Sequence, residues 1–146
     1  SFATYSTHDH DPLNSIWNGC LDVIRQQQQN PGLRPDWQVH GAHHTLRILS
    51  EFAGIPIPND SPWPPFTEGV RLRLVKSLLT SNSRYASFMI TELFGIGERI
   101  NQPGTNHDRN WRFRLPWTLD EIRTDPRLQD ICRKFAAAIS ITRRMP

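Results

Sequence analysis

The chain has 146 residues, 37% of them hydrophobic, a net charge of +3 and a pI near 9.3. That is one domain's worth of chain, leaner in apolar residues than the roughly 45–50% of a globular domain, an average that also counts glycine. No apolar run reaches membrane-spanning length, nothing at the start reads as a signal peptide, and no basic run forms a nucleic-acid stripe, so neither a membrane nor a nucleic acid is an expected partner.

Twelve prolines predict that much of the chain is loop. Arginine supplies fifteen of the seventeen basic residues, and its planar fork suits fixed contacts to carboxylates and hydroxyl-rich ligands. The densest basic pairs, Arg112/Arg114 and Arg143/Arg144, read as scattered solvated charge. Cys20 and Cys132 each fall on the apolar face of a predicted helix. They read as buried thiols in a reducing, cytoplasmic compartment rather than as a disulfide.

Phe2-Ala3-Thr4-Tyr5-Ser6 is aromatic and β-branched and predicts a strand. Asp11-Pro12 then reads as N-cap and first helical residue. Leu13, Ile16, Trp17, Cys20, Leu21 and Ile24 follow at i, i+3, i+4, i+7, i+8 and i+11, one face of a helix that ends in a glutamine run and Asn30-Pro31-Gly32. A second helix is predicted from Val39 to Ala53, closed by Gly54. A proline-dense loop follows, with Trp63 and Phe66 expected to pin it to the body. A third helix begins near Thr67-Glu68 and carries Val70, Leu74, Val75, Leu78 and Leu79 at helical period.

Tyr85 to Ile90 reads as a second strand, and strand–helices–strand order implies a parallel pair. Glu92 to Trp117 is a long irregular segment, and a structureless loop of that length in a compact domain is usually functional. Thr118 with Glu121 forms a capping box. Asp125-Pro126 opens the last helix, with Leu128, Ile131, Cys132, Phe135 and Ile139 on one face. Two strands make no independent sheet. The unit therefore reads as α/β, the C-terminal quarter of an eight-stranded (β/α)8 TIM barrel, mostly helical with two short parallel strands. Residues 1–146 form one such piece. The start at Ser1, without an initiator methionine and almost on top of the first strand, predicts the tail of a larger protein.

The stretch Thr7-His8-Asp9-His10-Asp11 follows the first strand, and the carboxyl end of a strand is where catalytic groups sit in α/β architecture. Three readings stand for it. It is a loop and helix cap. Or His8 and His10 form a His-x-His metal pair, with further ligands from His40, His43, His44 or His107, giving a metal-dependent hydrolase. Or Asp9 is a catalytic carboxylate beside His8 in a sugar-binding cleft. A non-catalytic, arginine-rich helical module that binds a protein or nucleic acid is the competing class.

Asn101-Gln102-Pro103-Gly104-Thr105, followed by Asn110-Trp111-Arg112-Phe113-Arg114-Leu115-Pro116, resembles the C-terminal signature of the 4-α-glucanotransferases. These are the amylomaltases or disproportionating enzymes of glycoside hydrolase family 77, in which an N-x-P-G-T segment leads into N-W-R-x-R-L after a strand and an L-x-G stretch, here Glu92-Leu93-Phe94-Gly95. The same family carries Thr-His-Asp at the end of the seventh barrel strand, matching Thr7-His8-Asp9. The departures are His10-Asp11-Pro12 after His-Asp, and residues 30–65, which match no family motif. They bear on acceptor choice.

The resemblance implies transfer of α-1,4-glucan segments between maltooligosaccharides by a retaining mechanism, with no metal and no cofactor. It places the nucleophile Asp and the acid/base Glu on the fourth and fifth strands, outside this chain, which alone would be inert. Asp9 matches the third acidic residue, a transition-state stabiliser that holds hydroxyls of the reacting glucose. His8 would donate to the same sugar, and Asn101 and Pro103 sit in a loop brought near the cleft. Trp111 and Trp117 are expected mainly to anchor that loop, and Arg112 and Arg114 to pair with carboxylates. Strand residues Phe2, Tyr5, Phe88 and Ile90, and the helix face Leu13-Ile16-Trp17-Cys20, are expected to lack their barrel partners, so the isolated chain should self-associate.

Overall fold

The computed structural model describes residues 1–142. The pair Arg143/Arg144 therefore lies outside the described residues. Strand β1 (Phe2–Ala3) leads to helices α1 (Leu13–Gln29), α2 (Asp36–Ala53) and α3 (Glu68–Thr80). Strand β2 (Tyr85–Ala86) follows, then α4 (Ile90–Phe94), α5 (Leu119–Thr124) and α6 (Pro126–Ile141). The two strands pair in parallel, Phe2 with Tyr85 and Ala3 with Ala86, so the strand–helices–strand crossover is as expected.

Each strand is shorter than its sequence suggests, because side chains draw the backbone out of the ladder. Tyr5 turns inward: its hydroxyl donates to the Leu74 carbonyl at 2.7 Å, and its ring meets Phe52 edge-on at 6.0 Å. Phe88 packs edge-on against Phe135 of α6 at 5.2 Å. Ile90 belongs to α4 instead of a strand, because the Glu92 carboxylate accepts the Met89 N–H at 3.1 Å and caps a helix there. Of the four strand residues expected to lack partners, Phe2 remains 65% exposed, whereas Tyr5 and Phe88 are packed.

The helices run as their periodicity dictates. Leu13, Trp17 and Ile24 line the buried face of α1. Asp11 does not cap it. Pro12 holds the N-cap position in extended conformation (φ −66°, ψ 156°), and no side chain caps the helix. α2 begins three residues before Val39, at Asp36 behind Pro35, where a carboxylate suits the helix dipole. It ends at Gly54, whose φ of 60° favours glycine. Thr67 Oγ1 accepts the Val70 N–H at 3.3 Å to start α3, and Thr118 and Asp125 cap α5 and α6 as their spacing predicts.

Trp17, Leu46 and Leu74 are fully buried where α1, α2 and α3 meet. Truncating Trp17 there should cost ~3–5 kcal/mol. Its Nε1 donates to the Pro64 carbonyl at 2.9 Å, and Phe66 and Trp63 pack on the same core, so the proline-dense loop is pinned as expected. Leu13 and Trp17 of the helix face find partners within the chain, on α2 and α3. A second cluster joins Val75 and Leu79 to Ala138 of α6. Both cysteines are free, and both are half-buried rather than fully buried. Among the described residues no helix is long and apolar enough to cross a membrane.

Candidate functional site

Beyond β1, side chains take over from the ladder. Ser6 is buried and its hydroxyl donates to Glu92 Oε1 at 2.5 Å. Burial pushes the Glu92 carboxyl up, against the hydrogen bonds from Ser6 and Met89, and pushes the Tyr5 phenol up, with Glu92 adding to it. Thr7 to His10 then form a turn: His10 N–H donates to the Thr7 carbonyl at 3.0 Å, and Asp9 N–H reaches Thr7 Oγ1 at 3.4 Å. The turn lifts His8 and Asp9 out of the core, with side chains 47% and 39% exposed.

The second segment comes from the loop after α4. Asn101 Nδ2 donates to Asp9 Oδ1 at 2.5 Å, and Asn101 N–H donates to the His8 carbonyl at 3.1 Å. Arg99 clamps both segments. Its Nε donates to the Asn101 carbonyl at 2.9 Å, one Nη donates to the Asp9 carbonyl, and the other faces Asp11 Oδ1 at 3.4 Å. The other oxygen of Asp9 faces His8 Nε2 at 3.4 Å. At these exposures that attraction is weak; position comes from Asn101 and Arg99.

Asn110 closes the loop on itself. Its Oδ1 accepts the Gln102 N–H at 3.1 Å, and its Nδ2 donates to the Thr105 carbonyl at 3.1 Å. Pro103 and Gly104 make the turn between them; Gly104 has φ 72°, and Pro103 is exposed. Trp111 is the one non-glycine with positive φ, 62°, among the described residues. A side chain in that region is strained. The strain places the indole beside His8, ring centroids 4.8 Å apart, while the residue stays 61% exposed. Next to this corner, Arg99, Asn101, Asn110 and Arg112 help line an open cavity of about 830 Å³.

A family model described as 4-alpha-glucanotransferase matches residues 1–120. The chain belongs to the 4-alpha-glucanotransferase family. No curated protein matches it. The glucanotransferase match takes in β1, β2 and both segments of the corner, and ends inside α5.

Of the residues singled out in this glucanotransferase chain, His8, Asp9 and Asn101 come together; Pro103 lies in the turn beyond Asn101. The metal reading of His8 and His10 is corrected. His10 Nδ1 is engaged by Thr7 Oγ1 at 2.8 Å, and among the described residues no group of three or more His, Cys, Asp or Glu side chains could hold an ion. Trp117 anchors the loop against Phe94 at 5.3 Å as expected, but Trp111 does not anchor it. Among the described residues Arg112 and Arg114 pair with no carboxylate; Arg114 donates to the Phe113 carbonyl instead. Arg99 takes the role expected of them. It carried no motif signal beyond standing two residues before Asn101. Glu92 carried none beyond its place in the L-x-G approach.

Proposed function

We propose that this chain supplies the transition-state-stabilising carboxylate, Asp9, and a sugar-contacting histidine, His8, to an enzyme that transfers α-1,4-glucan segments between maltooligosaccharides. The observation that carries the reading is the 2.5 Å bond from Asn101 to Asp9, which joins two family motifs ninety-two positions apart in one polar corner. A fixed, half-exposed carboxylate can hold sugar hydroxyls and favour the positive charge that builds on the ring in an oxocarbenium-like state. Trp111 offers an exposed indole beside His8, of the kind on which a sugar ring stacks.

The mechanism is a retaining one, in which a nucleophile and an acid/base outside this chain carry the covalent steps. The acceptor is a glucan hydroxyl in place of water. β1 and β2 are then the seventh and eighth strands of a (β/α)8 barrel, and residues 1–146 belong to its C-terminal quarter. Their parallel pairing across a helical crossover supports this placement. The chain alone, with neither a nucleophile nor a proton donor in place, transfers nothing.

Asp9→Asn in the intact enzyme tests the reading. Glucose release from maltotriose should be abolished with the melting temperature little changed, since Asp9 is part-exposed. Near-normal turnover would remove Asp9 from the mechanism.

A further inference from the structure

Arg71 of α3 is only 7% exposed. Yet its guanidinium makes no hydrogen bond and no ion pair among the described residues. Its electrostatic neighbour is Glu68, one turn back, whose carboxylate is taken by Lys134 Nζ at 2.5 Å. A guanidinium carries five N–H donors, and although the residue is buried as a whole, these nitrogens are not sealed off: they reach the open cavity beside them, where water or an anion can take them. Burial holds its pKa below the usual arginine value, with Glu68 opposing.

The group lines a cavity of about 200 Å³ together with Asn14, Thr67, Glu68 and Gly95. The walls are fitted to it. Gly95 has φ 69°, and a Cβ there would come within 2.8 Å of Arg71 Nη1. Asn14 Nδ2 donates to the Gly95 carbonyl at 2.5 Å and fixes that wall. Thr67 Oγ1 accepts the Val70 N–H at 3.3 Å, which leaves its own hydrogen free to donate. The space equals a handful of waters at ~30 Å³ each, enough for one small anionic group and too little for a nucleotide. An anion matches the charge of the fork, which a neutral ligand would leave to water.

We infer that this cavity binds an oxyanion, a phosphate group, in the fork of Arg71. Arginine meets phosphate bidentately through paired N–H donors, and here the fork has no competing partner. The site is separate from the Asp9 corner and stands whether or not the proposed transfer reaction holds. It is linked to that corner through the chain, because Asn14 follows Asp11 by three residues.

The test is the melting temperature of the full chain in potassium phosphate against potassium chloride at matched ionic strength, for wild type and Arg71→Met. In wild type the melting temperature should climb with the logarithm of phosphate concentration, as for any ligand of the native state. Arg71→Met keeps the apolar stem and loses the charge. It should show no phosphate-specific rise. Titration of wild type with inorganic phosphate by calorimetry should give a saturable one-to-one isotherm, so the outcome does not depend on the variant folding. Glucose 1-phosphate separates the sources: tighter binding than inorganic phosphate by tenfold or more marks a phosphorylated sugar, and equal binding marks the free anion. Wild type that responds to phosphate no more than to chloride, or a response that survives in Arg71→Met, would overturn the inference.

Discussion

Asn101→Ala isolates the contact that joins the two segments. The substitution removes the donor to Asp9 Oδ1 while leaving the Asn101 backbone bond to the His8 carbonyl and the Arg99 clamp in place. A hydrogen bond to a charged acceptor contributes ~1.5–3 kcal/mol. The Asp9 side chain is 39% exposed, so water replaces part of what is lost and the lower end applies. If the full amount enters the barrier, ~1.5 kcal/mol is about a tenfold fall in kcat, and the upper bound is about a hundredfold. The effect should fall on kcat with KM little changed, because a carboxylate that acts on developing charge is felt in the transition state more than in the bound substrate. Maltotriose disproportionation by the intact enzyme, followed as glucose release over a range of substrate concentrations, reads both constants. A kcat within twofold of wild type in a protein of unchanged melting temperature would refute the idea that Asn101 fixes Asp9 for catalysis. A rise in KM alone would assign the bond to binding.

Three further outcomes follow from the same geometry. The Glu92 carboxyl is raised above its ordinary value near 4.5, so folding favours its neutral form; its contribution is fully present below pH ~4.5 and is lost as pH rises through the raised value. Glu92→Gln should therefore gain stability relative to wild type between pH 4 and 7 in denaturant titrations, and a difference that stays flat with pH would count against burial as the cause. Trp111→Gly should relieve a strained positive φ, worth ~1–2 kcal/mol, so a loss of maltooligosaccharide binding without a loss of melting temperature is expected; unchanged binding would exclude the indole from the site. Phe2 and Tyr85 are 65% and 59% exposed on a two-stranded ribbon, and unpaired strand edges recruit other chains, so the 146-residue chain expressed alone should self-associate in sedimentation velocity; a monomer without concentration dependence would exclude this.

Helices were the legible part of this sequence. Apolar residues at i, i+3 and i+4 with a start signal such as Thr67, or a stop such as Gly54, are local physics, and α1, α2, α3 and α6 follow them. Strand ends were less legible, since Tyr5 and Phe88 leave the ladder for partners on α2, α3 and α6 that no local pattern names. The same holds at α1, where Asp11 resembles a cap but faces an arginine eighty-eight positions away. In the candidate site, His8, Asp9 and Asn101 were carried by motifs. Arg99 was not, because its contacts are to carbonyls, and a carbonyl looks alike behind every side chain. Trp111 looked like an anchor because tryptophan usually is one; its left-handed backbone, which turns the ring outward, leaves no trace in composition.

The pairing of Phe2 with Tyr85 also bears on the order of events as the chain folds. α1 and α2 are neighbours in sequence and collapse quickly, whereas β1 meets β2 only after a loop of some eighty residues has closed. Closing it costs about (3/2)RT ln n, ~4 kcal/mol for that length, for a return of two residue pairs. The helices should therefore form early and the ribbon late. Amides at Tyr85 and Ser87, bonded to Ser1 and Ala3, should then exchange with solvent through openings that leave α1–α3 intact. His8 and Asn101 lie downstream of the two strands, so the polar corner is assembled last and is the first part to come apart.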